Sequence, residues 1–433
     1  GTDTMTVEVT KGGVTKTAEL EISSGEVYAA SDVSDGALTG SSQADDFRTN
    51  FDDDDFEAHT ITIDGGAGFD RMTVDVAAGN IDDIANADVQ NLESVTLVDN
   101  SGNAVDTDLF SDAEMIQVSQ PNGNDLDVND IADEVTIGIA GNGNSNPDLT
   151  FESDVKTLDM LVGDIYSDSN DVSVNDISFN DEISTLNIRS DYANADGNHD
   201  VNNLVNIGEL RDLNIDGASD ININQVDIAN KNVALDSNTF TITSEAAGDV
   251  TFGGGGDGIV MGNNVPLVLV NNGEGTLSVN NNVDAANVAS NEITLDGTGT
   301  IDVGNIDVDT GAGQESLQVT TKGEGTKAVG NINFDTDAIT GETLKLTGTN
   351  DLTVSDIDLA NNADEADLLL DGAGDITIES LTVDAITAAN TFTIVSGGTG
   401  NNVIQDASGI DMTTGGGGVT TIAITGDNAI ELG

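Results

Sequence analysis

The sequence predicts an all-β protein whose main body is a right-handed parallel β-helix, a β-solenoid with three-strand rungs of about 25 residues. Three observations predict it. Short runs rich in Val, Ile and Thr alternate apolar and polar residues, which favours strands. Clusters of Gly, Asn and Asp separate these runs, as turns do. From about residue 155 onward the same pattern recurs every 24 to 27 residues.

Residues 1–35 predict an N-terminal β-hairpin or strand segment. The stretch "TMTVEVTKGGVTKTAELEI" (4–22) holds two alternating runs on either side of a "KGG" turn. Such a hairpin has free edges, and one hypothesis is that it pairs with an exposed end of the solenoid.

Residues 36–150 predict an irregular, acidic part of the solenoid. Strand-sized pieces such as "ITIDGG", "DRMTVDV" and "LESVTLVD" follow one another at less even spacing. We interpret them as less uniform rungs with longer insertions, so that the boundary near residue 150 is gradual.

Residues 151–433 predict the regular rungs. Each repeat reads apolar-x-apolar, a Gly/Asp/Asn turn, apolar-x-apolar, a short turn and a third apolar-x-apolar. Aligned by eye, the equivalent positions are Ile188, Ile215, Ile242, Leu269, Leu295, Val319, Leu346, Leu370 and Ile394. A propeller blade would need about 40–45 residues. The alternative fold is an antiparallel sandwich, which has turns every 8–12 residues and no longer period.

The charge excludes several classes of function. The chain has 79 acidic and 11 basic residues, a formal net charge of -68. Nucleic acids and anionic membranes are therefore not expected partners, because both are bound through Lys and Arg. Self-repulsion of this size predicts that cations belong to the native environment. Ca²⁺ fits best, because it prefers many carboxylate and carbonyl oxygens.

Other compositional features limit the chemistry and the location. The chain has no Cys, which excludes disulfides and thiol catalysis, and no apolar run long enough to span a membrane. It starts "GTDTMTVEV", without a signal-peptide pattern. We expect it to be a processed piece of a longer protein whose secretion signal lies elsewhere.

The turn "DGGAGFD" (64–70) is the strongest candidate metal site. Residues 65–70 fit the G-G-x-G-x-D repeat of calcium-binding parallel β-rolls. Glycines let backbone carbonyls face an ion, and the aspartates supply hard anionic oxygens. The candidate ligands are Asp64, Gly65, Gly66, Gly68 and Asp70.

Weaker candidates lie elsewhere, each with a structural alternative. The acidic pieces "SSQADDF" and "FDDDDFEAH" are either solvated loops or a calcium site that orders residues 36–60. The pieces "GGGGDG", "DGAGD" and "GGTGNN" (397–402) are either partial calcium turns or plain glycine corners. Their candidate ligands are Asp45, Asp46, Asp52, Asp53, Asp54, Asp55, Asp257, Asp371 and Asp375.

Three segments resemble a known family. They are "DGALTGSSQADDFRTN" (35–50), "ITIDGGAGFDRMTVDV" (61–76) and "ADVQNLESVTLVDN" (87–100). Together they resemble the RTX-associated surface-layer (S-layer) and giant surface proteins that Gram-negative bacteria export by type I secretion. The resemblance implies extracellular folding in calcium, assembly on the cell surface, and calcium binding by Asp64, Gly65, Gly66, Gly68 and Asp70. Tandem nonapeptides, which the family pattern includes, are missing here.

The sequence does not favour an enzyme. Carbohydrate-active β-helices use basic and aromatic side chains, but this chain has no Trp and only scattered Lys and Arg. Both histidines, His59 and His199, are interpreted as solvated turn residues rather than catalytic groups. The predicted function is a structural extracellular protein that self-assembles into a layer, fibre or matrix, with cell-surface polysaccharide as a second expected partner. The alternative is a segment of a large secreted adhesin.

Overall fold

The structure is a computed structural model of the 433-residue chain. It describes residues 2–11, 14–23, 27–29, 37–50, 61–75, 87–98, 104–119, 126–132, 134–140, 148–152, 155–163, 172–179, 183–190, 198–205, 207, 209–228, 239–254, 258–261, 265–285, 291–308, 314–334, 341–359, 366–383, 391–406, 409–410 and 421–433. The chain divides into two compact units, residues 1–161 and 162–433.

In its described residues, unit 1 contains strands and a 3₁₀-helix, Thr107–Phe110. The strands are β1 (Thr2–Lys11), β2 (Val14–Ser23), β3 (Val27–Ala29), β4 (Ala37–Thr39), β5 (Asp46–Asn50), β6 (Ile61–Asp64), β7 (Arg71–Asp75), β8 (Ala87–Gln90), β9 (Ser94–Val98), β10 (Ala104–Asp106), β11 (Met115–Ser119), β12 (Leu126–Asn129), β13 (Thr136–Ala140), β14 (Leu149–Phe151) and β15 (Thr157–Val162), which ends just past the unit boundary.

The strands of unit 1 pair in two different ways. β1 and β2 form the predicted antiparallel hairpin, with Met5 opposite Leu20. The other pairs are parallel. β3, β5, β7, β9, β11 and β13 form one series, β4, β6 and β8 a second, and β10, β12 and β14 a third. Parallel stacking of strands from successive rungs is the arrangement of a β-solenoid.

Unit 2 has the same kind of strands. They are β16 (Ser173–Phe179), β17 (Thr185–Ser190), β18 (Asn198–Val205), β19 (Asp212–Asp216), β20 (Asp220–Asp227), β21 (Phe240–Ser244), β22 (Val250–Phe252), β23 (Ile259–Val260), β24 (Leu267–Asn271), β25 (Leu277–Asp284), β26 (Asn291–Asp296), β27 (Ile301–Val308), β28 (Gln314–Thr321), β29 (Lys327–Phe334), β30 (Gly341–Gly348), β31 (Leu352–Leu359), β32 (Ala366–Gly372), β33 (Ile376–Val383), β34 (Thr391–Gly398), β35 (Asn402–Ile404), β36 (Gly409–Ile410), β37 (Thr421–Thr425) and β38 (Ile430–Leu432).

The strands of unit 2 form two series, and their pairs are parallel throughout the described residues. The first series is β17, β19, β21, β24, β26, β28, β30, β32, β34 and β37, each paired with the next. The second is β16, β18, β20, β22, β25, β27, β29, β31, β33, β35 and β38, with β23 and β36 beside it. The predicted parallel β-solenoid is confirmed, and the antiparallel sandwich is wrong.

The predicted three apolar-x-apolar runs per rung are visible in the burial pattern. β26 buries the apolar pair Ile293 and Leu295, and also Thr294 between them. The longer β27 buries one pair, Ile301 and Val303, then breaks the alternation, and buries a second pair, Ile306 and Val308. Inward aliphatic residues of successive rungs are in register, so they pack into a continuous core that no rung could form alone.

The by-eye alignment of the repeats is wrong at three steps, each time by two residues. Ile215 pairs with Ser244 rather than Ile242. Leu295 pairs with Thr321 rather than Val319, and Leu370 pairs with Ser396 rather than Ile394. Across the steps aligned here, from β17 to β34, paired residues are thus 24 to 29 positions apart. A shift of two keeps every side chain on its own face, so the alternation alone cannot reveal it.

Helical structure is minor in the part of the chain that the structure describes. No helix there has the length and hydrophobicity needed to cross a bilayer. His199 is not the solvated turn residue that the sequence predicted. It lies in β18, is 2% exposed, and its Nδ1 accepts a 3.2 Å hydrogen bond from the Val172 N–H. His59 lies outside the described residues.

Candidate metal site

The G-G-x-G-x-D turn connects β6 to β7 in unit 1, and its glycines have a structural reason. Gly66 and Gly68 have φ of 94° and 149°, a region that side chains disfavour. A Cβ on Gly65 would lie only 2.0 Å from the carbonyl oxygen of Asn91 on the next rung. Close stacking of successive corners therefore requires glycine here, whether or not an ion binds.

Asp64, at the start of this turn, is half-buried and holds the corner together. Its Oδ1 accepts hydrogen bonds from the Gly66 N–H at 3.0 Å and from Nδ2 of Asn91 at 2.7 Å. The carboxylate thus links the turn to the next rung. These bonds leave it further lone pairs for another partner.

Asp70, at the end of the turn, is completely buried. Its Oδ1 accepts the Asp45 N–H at 2.7 Å, but its Oδ2 is buried without a hydrogen-bond partner. The Asp70 N–H donates to Oε2 of Glu93 at 2.6 Å. A buried carboxylate oxygen without a partner is costly unless a cation or a proton compensates it.

The charges around Asp70 also favour a cation or a proton at this carboxylate. Burial raises the pKa of Asp70 above its ordinary value of 3.8, the hydrogen bond from Asp45 opposes this, and Glu93, Asp45 and Asp64 raise the pKa further. All three charged groups that act on Asp70 are carboxylates. The site is therefore a concentration of negative charge that attracts a cation.

Asp45 and Asp46 have different surroundings. Asp45 is 1% exposed, and its Oδ2 accepts the Ser41 N–H at 2.5 Å while its Oδ1 accepts the Ser41 hydroxyl at 3.2 Å. Asp46 points its carboxylate at Arg48, with 2.8 Å between Oδ2 and the guanidinium. The structure thus brings Asp45 together with Asp70, whereas Asp46 forms an ion pair at the surface.

The remaining predicted ligands do not join this group. Asp371 and Asp375 both lie in unit 2, Asp371 near the end of β32 and Asp375 in the corner between β32 and β33. Oδ1 of Asp375 accepts the Asn401 N–H of the next rung at 2.7 Å. Four predicted residues, Asp52, Asp53, Asp54 and Asp55, and also Asp257, lie outside the described residues.

Two groups of carboxylates were missed from sequence. The first is Glu93, which stands directly before β9 just as Asp45 and Asp70 stand before β5 and β7. This shared position, directly before a strand, is the sequence feature that could have identified Glu93. The second is an exposed triad, Asp106, Asp108 and Asp130, whose ligand atoms lie within 4.8 Å of one another. Asp130 is distant in sequence, so only the D-x-D pair at 106–108 was visible.

Comparisons with known proteins do not add a family. No protein-family model, no curated protein and no solved structure matches the chain.

Proposed function

We propose that this chain is a non-enzymatic structural protein, a calcium-stabilised β-solenoid that assembles outside the cell into a surface layer, fibre or matrix. One observation carries the proposal: strands of successive rungs stack in parallel, and in this stack the completely buried Asp70 lies among Asp45, Asp64 and Glu93, with its Oδ2 lacking a hydrogen-bond partner. A buried carboxylate oxygen of this kind is costly unless a cation or a proton compensates it.

A second copy of the chain is the partner that this proposal assigns, because the family that residues 35–100 resemble assembles on the cell surface. The formal charge of -68 opposes this contact. Ca²⁺ between acidic faces offsets the repulsion, which is why the proposal includes calcium. The extracellular location, type I secretion and a cell-surface polysaccharide partner rest on the family resemblance of 35–100.

The experiment measures assembly of the purified chain by light scattering and negative-stain electron microscopy, with millimolar CaCl₂ and with excess EDTA. We expect filaments or a lattice with Ca²⁺ and dispersal by EDTA. KCl at the same ionic strength is the matched control, because it screens the charge without bridging carboxylates.

A chain that stays monomeric in calcium would contradict self-assembly. It would favour the alternative, a segment of a secreted adhesin that acts as a monomeric stalk. Equal assembly in CaCl₂ and in KCl of the same ionic strength would contradict bridging by calcium.

A further inference from the structure

We propose that two corners of unit 2, the Asp–Gly pairs at 216–217 and 296–297, are sites of spontaneous backbone modification, where aspartate isomerises to isoaspartate through a succinimide ring. The reaction needs neither assembly nor calcium, so it goes beyond the proposed function. Four Asp–Gly pairs lie wholly within the described residues. Hydrogen bonding and strand pairing separate these two from the other two, although the dipeptide is the same.

Isomerisation begins when the backbone nitrogen of the following residue attacks the side-chain carboxyl carbon. At Asp216, the Gly217 nitrogen forms a bond to Cγ and gives up its proton. One carboxyl oxygen takes up that proton and another from solvent, and leaves as water. Hydrolysis of the succinimide ring then consumes one water. Opening on one side restores aspartate, and opening on the other leaves the main chain running through Cγ, which is isoaspartate. Glycine favours the attack because it has no Cβ beside the nitrogen.

In both corners a hydrogen bond holds the attacking nitrogen against the carboxyl group. The Gly217 N–H donates to Oδ1 of Asp216 at 2.7 Å. The Gly297 N–H donates to Oδ1 of Asp296 at the same distance, 2.7 Å. Cγ is one bond beyond Oδ1 and therefore lies roughly 3–4 Å from the nitrogen, close to the separation at which oriented groups react. Each aspartate is the last residue of its strand, β19 or β26, and each glycine has a positive φ.

The same dipeptide is held differently at the other two positions. The Gly65 N–H donates to the Gln90 carbonyl of the next rung at 3.0 Å, and Oδ1 of Asp64 accepts the N–H of Gly66 instead. An attack by the Gly65 nitrogen would have to break a bond between rungs. The fourth pair, at 371–372, lies within β32, which pairs with β30 and β34 on its two sides. These two pairs are internal controls for the reaction.

Isoaspartate should weaken the stacking of either corner, because it adds a methylene to a main chain that already touches the preceding rung. A Cβ on Gly217 would lie 2.0 Å from Oγ of Ser190. A Cβ on Gly297 would lie 2.3 Å from the carbonyl oxygen of Asn271. The Gly297 carbonyl also accepts a hydrogen bond from Nζ of Lys327, which a shift of the corner would disturb. We therefore expect aged samples to melt at a lower temperature than fresh ones.

The test follows isoaspartate in the folded, unmodified chain during long incubation at physiological temperature and neutral pH. EDTA is present, so that a bound ion cannot be what protects the turn 64–70. Peptide mapping with electron-transfer fragmentation distinguishes isoaspartate from aspartate at each position. We expect it to form about tenfold faster, or more, at the two proposed corners than at the two control pairs, because rates depend steeply on how the reacting atoms are placed. In guanidinium chloride, which removes the fold, all four pairs should react at similar rates.

Two asparagine variants give a second readout. Asp216→Asn keeps an oxygen for the Gly217 N–H and makes ammonia the leaving group, so deamidation appears as a gain in mass. Asp64→Asn is its counterpart at a control pair, and we expect it to deamidate about tenfold more slowly, or less, in the folded chain with EDTA. The proposal is overturned if the two corners isomerise no faster than the control pairs in the folded chain. Equal deamidation of the two folded variants would overturn it as well.

Discussion

The Nζ atom of Lys327 donates a 2.9 Å hydrogen bond to the carbonyl oxygen of Gly299, in the corner of the preceding rung. The same ammonium group also donates to the Gly297 carbonyl at 3.1 Å. Lys327 is 2% exposed and occupies an inward position whose register partner, Ile301, is a fully buried aliphatic residue. A cation of the chain itself thus satisfies turn carbonyls in unit 2.

Replacement of Lys327 should change how stability depends on pH. Burial lowers the pKa of Lys327 below its ordinary value of 10.5. The folded protein therefore binds fewer protons than the unfolded chain between the lowered pKa and 10.5, and the free energy of unfolding should rise with pH in that window. Lys327→Met should remove this rise, which has a limit of about 1.4 kcal/mol per pH unit. Urea denaturation across alkaline pH measures it.

The control is Lys322→Met, since Lys322 is an exposed lysine in the same corner. Its pH profile should match that of the original chain. At neutral pH we expect Lys327→Met to lower the free energy of unfolding by about 1–3 kcal/mol, because two carbonyl oxygens lose their donor. If the free energy of unfolding of Lys327→Met still rises with alkaline pH in parallel with that of the original chain, this pH dependence does not come from Lys327.

Substitution of Gly65 by alanine should destabilise unit 1. The new Cβ would meet the Asn91 carbonyl at 2.0 Å, so the rungs must separate locally. We expect a loss of about 1–3 kcal/mol in the free energy of unfolding, measured by urea denaturation. Gly397→Ala is the comparison, because its Cβ would first meet a side-chain oxygen of Asp371 at 3.0 Å. Equal effects at the two positions would show that backbone stacking is not the cause.

The hydrogen bond that His199 accepts from the Val172 N–H should stabilise the folded chain. His199→Phe keeps the bulk of the ring but removes the Nδ1 acceptor of the Val172 N–H. An unsatisfied buried N–H costs about 1–3 kcal/mol, and we expect that loss in thermal or urea unfolding at pH 8. His199→Asn, which offers a side-chain oxygen near the same place, should recover part of it. If His199→Phe is as stable as the original chain, the hydrogen bond contributes nothing.

Salt and calcium should stabilise the chain by different amounts. From about 0.01 M to about 0.15 M KCl the Debye length falls from about 30 Å to about 8 Å, which weakens repulsion among the acidic residues. The melting temperature in EDTA should therefore rise with KCl. CaCl₂ at matched ionic strength should raise it further, because a bound ion stabilises the folded state by mass action. Identical melting temperatures in KCl and CaCl₂ would indicate screening alone.

The fold was predictable from sequence because the solenoid repeats its pattern many times. Alternation with period two identified the inward residues, such as Ile188 and Leu346, which are buried. Register was harder, as the pairing of Ile215 with Ser244 illustrates. Corners differ in length by small amounts, and an even change leaves the apolar and polar faces intact.

The candidate site was only partly predictable. Asp70 was identified through its glycine turn, and Asp45 through its acidic neighbours. Glu93 was not, because its proximity to Asp70 depends on the stacking of a strand 23 residues away. His199 was misassigned for a related reason, since the polar letters around it resemble a turn although β18 buries it.

The position of Lys327 has a consequence for how the chain finds its correct pairing. Repeats this similar can slip by a whole rung during folding, because nearly every inward residue is aliphatic and fits its neighbour's place. A slipped chain would separate the Lys327 ammonium group from the Gly297 and Gly299 carbonyls. It would leave an unpaired charge in the apolar interior, at a cost of several kcal/mol. A charged side chain in a column that is otherwise mostly aliphatic, with His199 and Asn402 as its other buried polar members, thus marks one alignment and disfavours its near-copies.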